Sequence, residues 1–415
     1  MIMDWSKLMT TMSIRLKDEW MQRKHSLLAV LILLVLTLAF SVSAASTGIN
    51  KHSHLNTGCN FPAIFNFGDS NSDTGSKSAA FGRIPYPNGY SFFRKPAGRF
   101  CDGRVVVDFI AERLELPYLS SFLDSIGTNF RHGANFATGG ATIQRVDTRL
   151  CVYRFSPLSL DLQLSQFEQF KERTLELYNQ GGGSYVTNSL PMPDDFSKAL
   201  YTLDIGQNDL HAGFKSMTDK QVLESIPSII DQLAKVIEKL YRLGARTFWV
   251  HNTGPIGCLP MIVSEFPPKP ENLDQNGCAN SMNDIAQEFN RQLKDKVFQL
   301  RKQFPDAALT YTDIYTAKYS LISEAKKQGF SDPFGYCCGH YGDPCWKKAK
   351  ANGTEISRKP CNNPELDISW DGIHYSQAAN RIIADKIVDG SLSDPPTPIN
   401  EACRNLFISQ NVEEA

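Results

Sequence analysis

The amino-acid sequence predicts an α/β fold in which helices cover both faces of a mostly parallel central sheet. Apolar runs of strand length alternate along the chain with longer stretches whose apolar residues recur at helical spacing. Strands joined by helices of this length need crossover connections, which make neighbouring strands parallel and lay helices over the sheet. The 415-residue chain, with 42% apolar and 21% charged residues, is long enough to bury one sizeable core.

Strand and helix segments are assigned in order along the chain. The apolar runs predicted to be buried strands are Phe61–Phe67, Ala199–Ile205, Thr247–Val250 and Ala307–Tyr311. The stretches predicted to be helices are Val105–Leu116, Leu160–Tyr178, Ile226–Leu243, Met282–Phe304 and Gln377–Val388. Gly244 is expected to end the third helix in the left-handed conformation, and Ser376 to cap the last. In such a sheet, ligands meet the loops at the carboxyl ends of the strands.

The N-terminal segment 1–45 has the pattern of a targeting sequence. Residues 27–40 are almost wholly apolar, follow the basic stretch 23–25 and run into small residues at 41–45. The pattern predicts a signal peptide cleaved near Ala44. The alternative is a single membrane anchor facing the Golgi lumen, because the n-region is long for a signal peptide. Either alternative sends the rest of the chain into the secretory pathway.

Beyond that segment the sequence predicts one large domain. Residues 46–59 form a polar lead-in, 60–392 the domain and 393–415 a C-terminal tail. The chain has 43 Lys and Arg against 44 Asp and Glu, and neither sign gathers into a long run. A nucleic-acid partner is therefore not expected, because phosphate binding needs clustered positive charge.

The cysteines predict disulfide bonds, since all ten lie at or after Cys59, in the part that enters an oxidising compartment. The alternative for one close group is a structural zinc site, and that group is Cys337, Cys338, His340 and Cys345. No second pair at zinc-finger spacing follows it, which favours disulfides. Asn352 begins an Asn-Gly-Thr sequon and predicts a glycosylated surface loop.

The first candidate reactive group is Ser70, which follows the first predicted strand. Residues 68–75 read Gly-Asp-Ser-Asn-Ser-Asp-Thr-Gly. A serine at the end of a buried strand is exposed at the carboxyl edge of the sheet, where backbone N–H groups can face an anion. The simpler interpretation is that Asp69, Ser70 and Asp73 only cap a helix and shape a turn.

Two further segments supply hydrogen-bond donors at the same edge. Asn208 follows the predicted strand that ends at Ile205. Its side-chain N–H can stabilise a developing oxyanion, although an Asn in a loop is more often a turn former. Residues 133–140 are rich in small residues, and a glycine there lets a backbone N–H approach a reacting carbonyl.

An acid and a base occur three residues apart near the C-terminus, in Trp370-Asp371-Gly372-Ile373-His374. A nucleophilic serine needs a base with a pKa near the operating pH and a carboxylate that fixes the imidazole tautomer. Asp371 and His374 can satisfy both needs within one turn. Taken alone, the pair is equally consistent with an ordinary surface loop.

Taken in order, these segments resemble the GDSL or SGNH hydrolase family, in particular its large plant branch. The resemblance is carried by residues 65–75, 133–140, 202–209, 254–258 and 370–374. It implies an SGNH-hydrolase three-layer sandwich and a serine ester hydrolase that needs no cofactor. It also implies that Ser70 attacks the ester carbonyl, that His374 carries the proton and that Asp371 orients His374.

The resemblance further implies an oxyanion hole and a class of substrate. The donors would be the backbone N–H of Ser70, the backbone N–H of Gly139 and the side chain of Asn208, with Gly140 as the alternative to Gly139. Similarity to the early-nodulin-like esterases implies a carboxylesterase or acetylesterase that removes O-acetyl groups from plant cell-wall polysaccharide, such as xylan or its side chains, or from related carbohydrate esters. Lipid ester hydrolysis and acyl transfer are alternatives, followed by glycoside hydrolysis, which needs two carboxyl groups about 5 to 9 Å apart. A non-catalytic carbohydrate-binding role ranks last, because no member of the set is missing.

Two cysteines depart from the pattern of that family. Cys101 stands where the family more often has Ser, and Cys151 is additional. The two unmatched residues predict a Cys101–Cys151 disulfide that ties together two loops beside the site.

Overall fold

The computed structural model describes residues 58–146, 155–339 and 360–404, and the backbone of 349–351 and 354–356. The predicted targeting segment, the sequon at Asn352 and the residues Cys151, His340 and Cys345 lie outside the described residues. Within the described part, no helix combines the length and apolarity needed to cross a membrane.

The regular elements alternate as the sequence predicts. The strands are β1 (Ile64–Gly68), β2 (Gly133–Asn135), β3 (Leu200–Asp204), β4 (Thr247–His251), β5 (Ala308–Thr312), β6 (Asp332–Tyr336), β7 (Ala349–Ala351), β8 (Thr354–Ile356), β9 (Asp367–Ser369) and β10 (Ser393–Asp394). The helices are α1 (Ser76–Phe81), α2 (Tyr90–Phe93), α3 (Val106–Arg113), α4 (Leu160–Asn179), α5 (Gly183–Ser189), α6 (Asp195–Lys198), α7 (Gln207–Ser216), α8 (Asp219–Arg242), α9 (Pro260–Glu265), α10 (Asn280–Gln303), α11 (Ile314–Ser323) and α12 (Gln377–Val388).

The central sheet has the strand order β2-β1-β3-β4-β5-β10. Strands β1 to β5 are parallel, and β10 pairs with β5 in the antiparallel direction. Ile64 of β1 lies opposite Gly133 on one side and Leu200 on the other. The chain order therefore reverses between β1 and β3, and in open sheets of this kind ligands bind outside the carboxyl ends of the strands at such a point.

Helices lie on both faces of this sheet, so the predicted fold class is confirmed. The chain runs one way along the sheet from β1 to β2 and the other way from β2 through β5. Since parallel crossovers are right-handed, these two directions place their helices on opposite faces. Helix α8 packs against α4 and α10, whereas α3 packs against α12, which packs against α11.

Helix α8 begins earlier than its apolar spacing indicates. We predicted a start at Ile226, and the helix starts at Asp219 with Pro227 inside it. Thr218 caps the first turn: its hydroxyl accepts from Gln221 N at 3.4 Å while the Gln221 side chain accepts from Thr218 N at 2.9 Å. This capping box offsets the largely polar first turns. Gly244, with a φ of 102°, follows the end of the helix as predicted.

Two edge strands were not predicted. Strand β2 occupies the start of the glycine-rich segment 133–140, which we treated as a loop because glycine and alanine are weak strand formers. Strand β10 lies beyond residue 392, and a disulfide joins Cys59 to Cys403. The ordered fold therefore includes residues on both sides of the predicted domain 60–392.

The cysteine bonds decide between the zinc and disulfide predictions. Cys258 is bonded to Cys278 and Cys337 to Cys361, and Cys338 is also disulfide-bonded. The zinc alternative therefore loses two of its proposed thiolates. The predicted Cys101–Cys151 disulfide is wrong, since Cys101 is a buried free thiol.

Candidate active site

Ser70 lies in the turn that directly follows β1, at the edge where the strand order reverses between β1 and β3. Its residue is 9% exposed, so it reaches the surface although it is surrounded by the sheet edge. Within the described residues, neither its backbone N–H nor its hydroxyl forms a hydrogen bond. Both groups are therefore free to meet a ligand.

Asp73 links the Ser70 turn to the glycine-rich segment. Its Oδ1 accepts from Gly75 N and Ser76 N, both at 2.7 Å, and so caps α1. Its Oδ2 accepts from Gly139 N at 2.7 Å. Burial raises the pKa of this carboxyl above its ordinary range. The simple capping interpretation is thus correct for Asp73, which also holds a second loop of the site.

The same contact bears on the choice between Gly139 and Gly140. The Gly139 N–H, which we expected to face an oxyanion, is directed at Asp73 Oδ2. Gly140 has a φ of 83°, and its N–H has no hydrogen-bond partner in the described part of the chain. The geometry therefore favours Gly140, the alternative donor.

Asn208 lies in the first turn of α7, where we expected a loop. Its Nδ2 donates to Ala141 O at 2.9 Å and to Asp69 Oδ2 at 3.2 Å. The next residue, Asp209, accepts from Ile143 N at 2.9 Å through Oδ2. The start of α7 therefore holds both the segment after Gly140 and the residue before the candidate nucleophile.

Asp69 is a fully buried carboxyl beside Ser70. Its Oδ1 accepts from Asn71 N at 2.9 Å, and Gln207 Nε2 lies 3.3 Å from its Oδ2. Burial, followed by the negative charge of Asp204, raises the pKa of Asp69 to about 7. The positive charge of Lys318, itself buried on α11, acts in the opposite direction.

Asp371 and His374 form a hydrogen-bonded pair. Asp371 Oδ2 lies 2.6 Å from His374 Nδ1, while Oδ1 accepts from Ile373 N at 3.0 Å and His374 N at 2.8 Å. Gly372 allows this tight turn because it adopts a φ of 91°, where other residues are strained. Burial raises the pKa of Asp371, but the charge and hydrogen bonds of His374 outweigh it and hold the pKa below its ordinary value.

The surrounding structure fixes this turn at both ends. Trp370 is 1% exposed, its Nε1 donates to Asn88 Oδ1 at 3.0 Å, and its N donates to His374 O at 2.6 Å. Ser376 Oγ accepts from Ala379 N at 3.2 Å and caps α12, which confirms that prediction.

Direct hydrogen bonds join the Ser70 turn, the glycine-rich segment and Asn208, and Phe100 links the Asp371–His374 turn to the glycine-rich segment. The Phe100 ring stacks on the His374 imidazole, with centroids 4.9 Å apart and planes at 28°. A Cβ atom on Gly139 would overlap the same ring, so Phe100 contacts both segments. Ser70 and His374 are not hydrogen-bonded to each other. Catalytic hydrogen bonds are often long before the substrate binds and tighten only in the complex, so the lack of a Ser70–His374 hydrogen bond does not argue against a triad.

Sequence reasoning missed several residues that build the site. Asp69 and Asp209 are neighbours of Ser70 and Asn208, and their positions beside those residues were a usable signal. Lys318 comes from a segment that no motif pointed to, whereas Phe100 precedes Cys101 in a loop that we placed beside the site, although only the tertiary contacts identify the Phe100 ring itself.

The chain is similar to one protein family and to several known proteins. The family model for GDSL-like Lipase/Acylhydrolase matches residues 64–387. A GDSL esterase/lipase of Arabidopsis thaliana is 53% identical over 350 residues, covering 83% of this chain and 90% of the relative. Alpha-L-fucosidase 3 of the same plant is 49% identical over 366 residues, covering 86% and 97%.

Further matches include the GDSL esterase/lipase ENOD8 of Medicago truncatula, 44% identical over 386 residues and covering 92% of this chain and 97% of that one. A solved phospholipase A1 of Streptomyces albidoflavus is 12% identical with a TM-score of 0.33, covering 79% and 99%. The chain belongs to the GDSL-like lipase/acylhydrolase family and is a serine ester hydrolase of its plant branch.

Proposed function

We propose that this enzyme removes O-acetyl groups from plant cell-wall polysaccharide, such as xylan or its side chains, with Ser70 as nucleophile, His374 as base and Asp371 as its partner. The observation that carries the proposal is the Asp371–His374 pair at 2.6 Å, joined through Phe100 to the glycine-rich segment. A short, charge-assisted contact of this kind fixes the imidazole tautomer that leaves Nε2 free to accept a proton.

The reaction proceeds in two balanced steps. Ser70 Oγ attacks the ester carbonyl carbon while His374 Nε2 takes the hydroxyl proton, and the carbon–oxygen bond to the alcohol then breaks as His374 returns that proton to the leaving oxygen. Water next attacks the acyl-enzyme, His374 takes a proton from it, and the acid leaves as Ser70 regains its hydrogen. An alcohol in place of water would give acyl transfer.

The negative charge on the carbonyl oxygen is met by three donors. These are the N–H of Ser70, the N–H of Gly140 and one N–H of Asn208. The Asn208 contact to Asp69 is long at 3.2 Å, whereas that to Ala141 O is 2.9 Å. An oxyanion can therefore compete for the hydrogen that points to Asp69, while the hydrogen bonded to Ala141 O keeps the side chain in place.

The choice of a carbohydrate ester over a lipid ester rests on the resemblance to the early-nodulin-like esterases, because the groove nearest the nucleophile segment is lined by neither Ser70 nor His374. The groove has a volume of about 550 Å³ and borders Thr74 and Gly75. Other lining residues carry hydroxyl groups, among them Ser78, Ser120 and Thr128. The same groove is also lined by Phe93, Pro96 and Leu119, so its walls do not discriminate between a sugar and an acyl chain. Lipid ester hydrolysis is the second candidate, to be separated by experiment.

Glycoside hydrolysis is raised by the relative named alpha-L-fucosidase. That chemistry needs two carboxyl groups flanking the glycosidic bond. Both oxygens of Asp371 are occupied by hydrogen bonds within its own turn. Asp69, the nearest carboxyl to Ser70 in the chain, is 0% exposed and cannot touch a sugar. The ester mechanism, in contrast, needs Asp371 only to orient His374 and needs no second carboxyl group in contact with the substrate.

We further propose that the enzyme works in the cell wall, or in the Golgi lumen if segment 1–45 is retained as an anchor, and that Asn352 is glycosylated. The disulfides Cys59–Cys403, Cys258–Cys278 and Cys337–Cys361 support an oxidising compartment.

The test is a substrate screen with a serine control. Purified wild type, Ser70→Ala and Ser72→Ala are given acetylated xylan, acetylated pectin, and short- and long-chain p-nitrophenyl esters. We expect acetate release from a polysaccharide and from short esters, its loss in Ser70→Ala and its retention in Ser72→Ala, whose buried hydroxyl accepts from Asn66 Nδ2 at 3.0 Å. Turnover of long-chain esters alone, or release of free sugar without acetate, would refute the proposed substrate.

A further inference from the structure

We propose that Phe100 is a positioning residue of the ester hydrolysis: its ring holds the His374 imidazole in a fixed orientation against the glycine-rich segment. The proposal rests on the roles given above to Ser70 and His374. The two rings are stacked with centroids 4.9 Å apart and planes at 28°. The Phe100 ring also lies so close to Gly139 that any side chain at Gly139 would overlap it.

The constraint from Phe100 complements the one from Asp371. The hydrogen bond at Nδ1 holds one edge of the imidazole but leaves the ring free to tilt about that contact. A flat ring packed on the face of the imidazole opposes this tilt. Misplacement of a catalytic group by about 1 Å can lower the rate about a hundredfold, so restricting the tilt has kinetic value.

Phe100 can act in this way because its own segment is anchored on the side of α3. The guanidinium of Arg99 forms two hydrogen bonds to Asp108 of α3, from Nε to Oδ2 at 2.8 Å and from Nη2 to Oδ1 at 2.6 Å. The side chains of both residues are at most 7% exposed. A paired, two-pronged contact away from water fixes direction as well as distance.

The segment is anchored on the side of α12 as well. Asp102 Oδ1 accepts from Gln377 N, the first residue of α12, at 2.7 Å. The buried Cys101 thiol lies 3.5 Å from Asn380 Nδ2 of the same helix. Because α12 begins three residues after His374, the ring and the imidazole share one support.

The leaving group of the substrate provides a specific readout. His374 must both accept the proton of Ser70 and donate it to the departing oxygen. An alkoxide or sugar oxygen needs that proton, whereas p-nitrophenolate leaves as a stabilised anion and needs it little. A loosely held imidazole should therefore slow an alkyl ester more than a p-nitrophenyl ester. Loss of folded protein would lower both rates by the same factor.

The experiment compares kcat/KM on ethyl acetate and on p-nitrophenyl acetate for wild type and the variants Phe100→Ala, Phe100→Leu, Phe100→Tyr and Phe130→Ala. Phe130 is the matched control, a partly buried ring packed on Phe170 at 5.5 Å, before the amino end of β2. Its loss tests the general effect of removing a phenyl ring. Phe100→Leu keeps most of the volume without a flat face, and is available if the alanine variant folds poorly.

We expect the ratio of kcat/KM for p-nitrophenyl acetate to that for ethyl acetate to rise about tenfold in Phe100→Ala, a part of the roughly 10²- to 10⁴-fold contribution of acid–base catalysis. Phe100→Leu should show a rise in the same direction, and Phe100→Tyr and Phe130→Ala the wild-type ratio. An unchanged ratio in Phe100→Ala and Phe100→Leu, or an equal rise in Phe130→Ala, would overturn the proposal. When the ratio is unchanged, the activity of Ser70→Ala shows which proposal has failed. An inactive Ser70→Ala means that only the role of Phe100 fails, whereas wild-type rates in Ser70→Ala mean that the proposed function itself fails.

Discussion

Replacement of Asn208 by alanine tests the oxyanion hole most directly. The Asn208 amide has two hydrogens, one held by Ala141 O at 2.9 Å and one by Asp69 Oδ2 at 3.2 Å. The second is the one that an oxyanion would take over. Removing a single donor of this kind typically lowers kcat by about 10²- to 10³-fold, equivalent to about 2.7–4 kcal/mol of transition-state stabilisation.

The same change also affects stability, and this contribution can be separated from catalysis. Asn208→Ala leaves Ala141 O without that donor and removes one of the donors to buried Asp69. An unsatisfied buried polar group costs about 1–3 kcal/mol of unfolding free energy. Gln207→Ala is the matched control, since Gln207 Nε2 also contacts Asp69 Oδ2, at 3.3 Å, but is not a proposed oxyanion donor.

The assay measures kcat and KM on p-nitrophenyl acetate together with urea unfolding for wild type, Asn208→Ala and Gln207→Ala. We expect kcat to fall in Asn208→Ala with little change in KM, because the lost interaction is made mainly in the transition state. Gln207→Ala should lose some stability and keep its turnover. A folded Asn208→Ala with wild-type kcat, or an equal loss in Gln207→Ala, would refute the reasoning.

Three other outcomes follow from charge and burial. Asp371→Asn should lower kcat about 10⁴-fold while the protein stays folded, because the amide would favour the wrong imidazole tautomer; activity near wild type would remove Asp371 from the triad. Cys101 should resist iodoacetamide in the native protein, because burial and then the charge of Asp102 raise the pKa of its thiol. It should be alkylated after unfolding without reductant, and a peptide map with Cys101 in a disulfide would contradict this. Burial raises the pKa of both Asp69 and Asp209 to about 7. Between about pH 4 and pH 7 the folded state therefore binds more protons than the unfolded state. The unfolding free energy should consequently fall as pH rises through this range. Asp209→Asn should make that slope shallower in urea unfolding, and an unchanged slope would count against the assignment.

The elements that periodicity predicts well are those buried along one continuous face. The strand predicted at Thr247–Val250 and the helix at Leu160–Tyr178 each differ from β4 and α4 by one residue at one end. Where capping rather than an apolar face stabilises the end of a helix, the predicted boundary is wrong. Helix α8 starts seven residues before its predicted beginning because a capping box, not an apolar face, forms its first turn.

The sequence also determined which reactive side chains the site contains. A serine after the first strand and an Asp-x-x-His turn before the last helix are local features, in which neighbouring residues along the chain set the geometry. Gly372 shows this dependence, since its φ of 91° lets Asp371 Oδ2 come within 2.6 Å of His374 Nδ1 inside one turn. Such contacts follow from spacing and residue type alone.

Contacts between distant segments were decided only by the tertiary structure. The direction of the Gly139 N–H depends on Asp73, and the elevated pKa of Asp69 depends on its burial near Asp204. The ring of Phe100 reaches His374 only because α3 and α12 hold its segment between them. Contacts between distant segments have no signature in residue spacing, because they depend on which surfaces meet when the whole chain has folded.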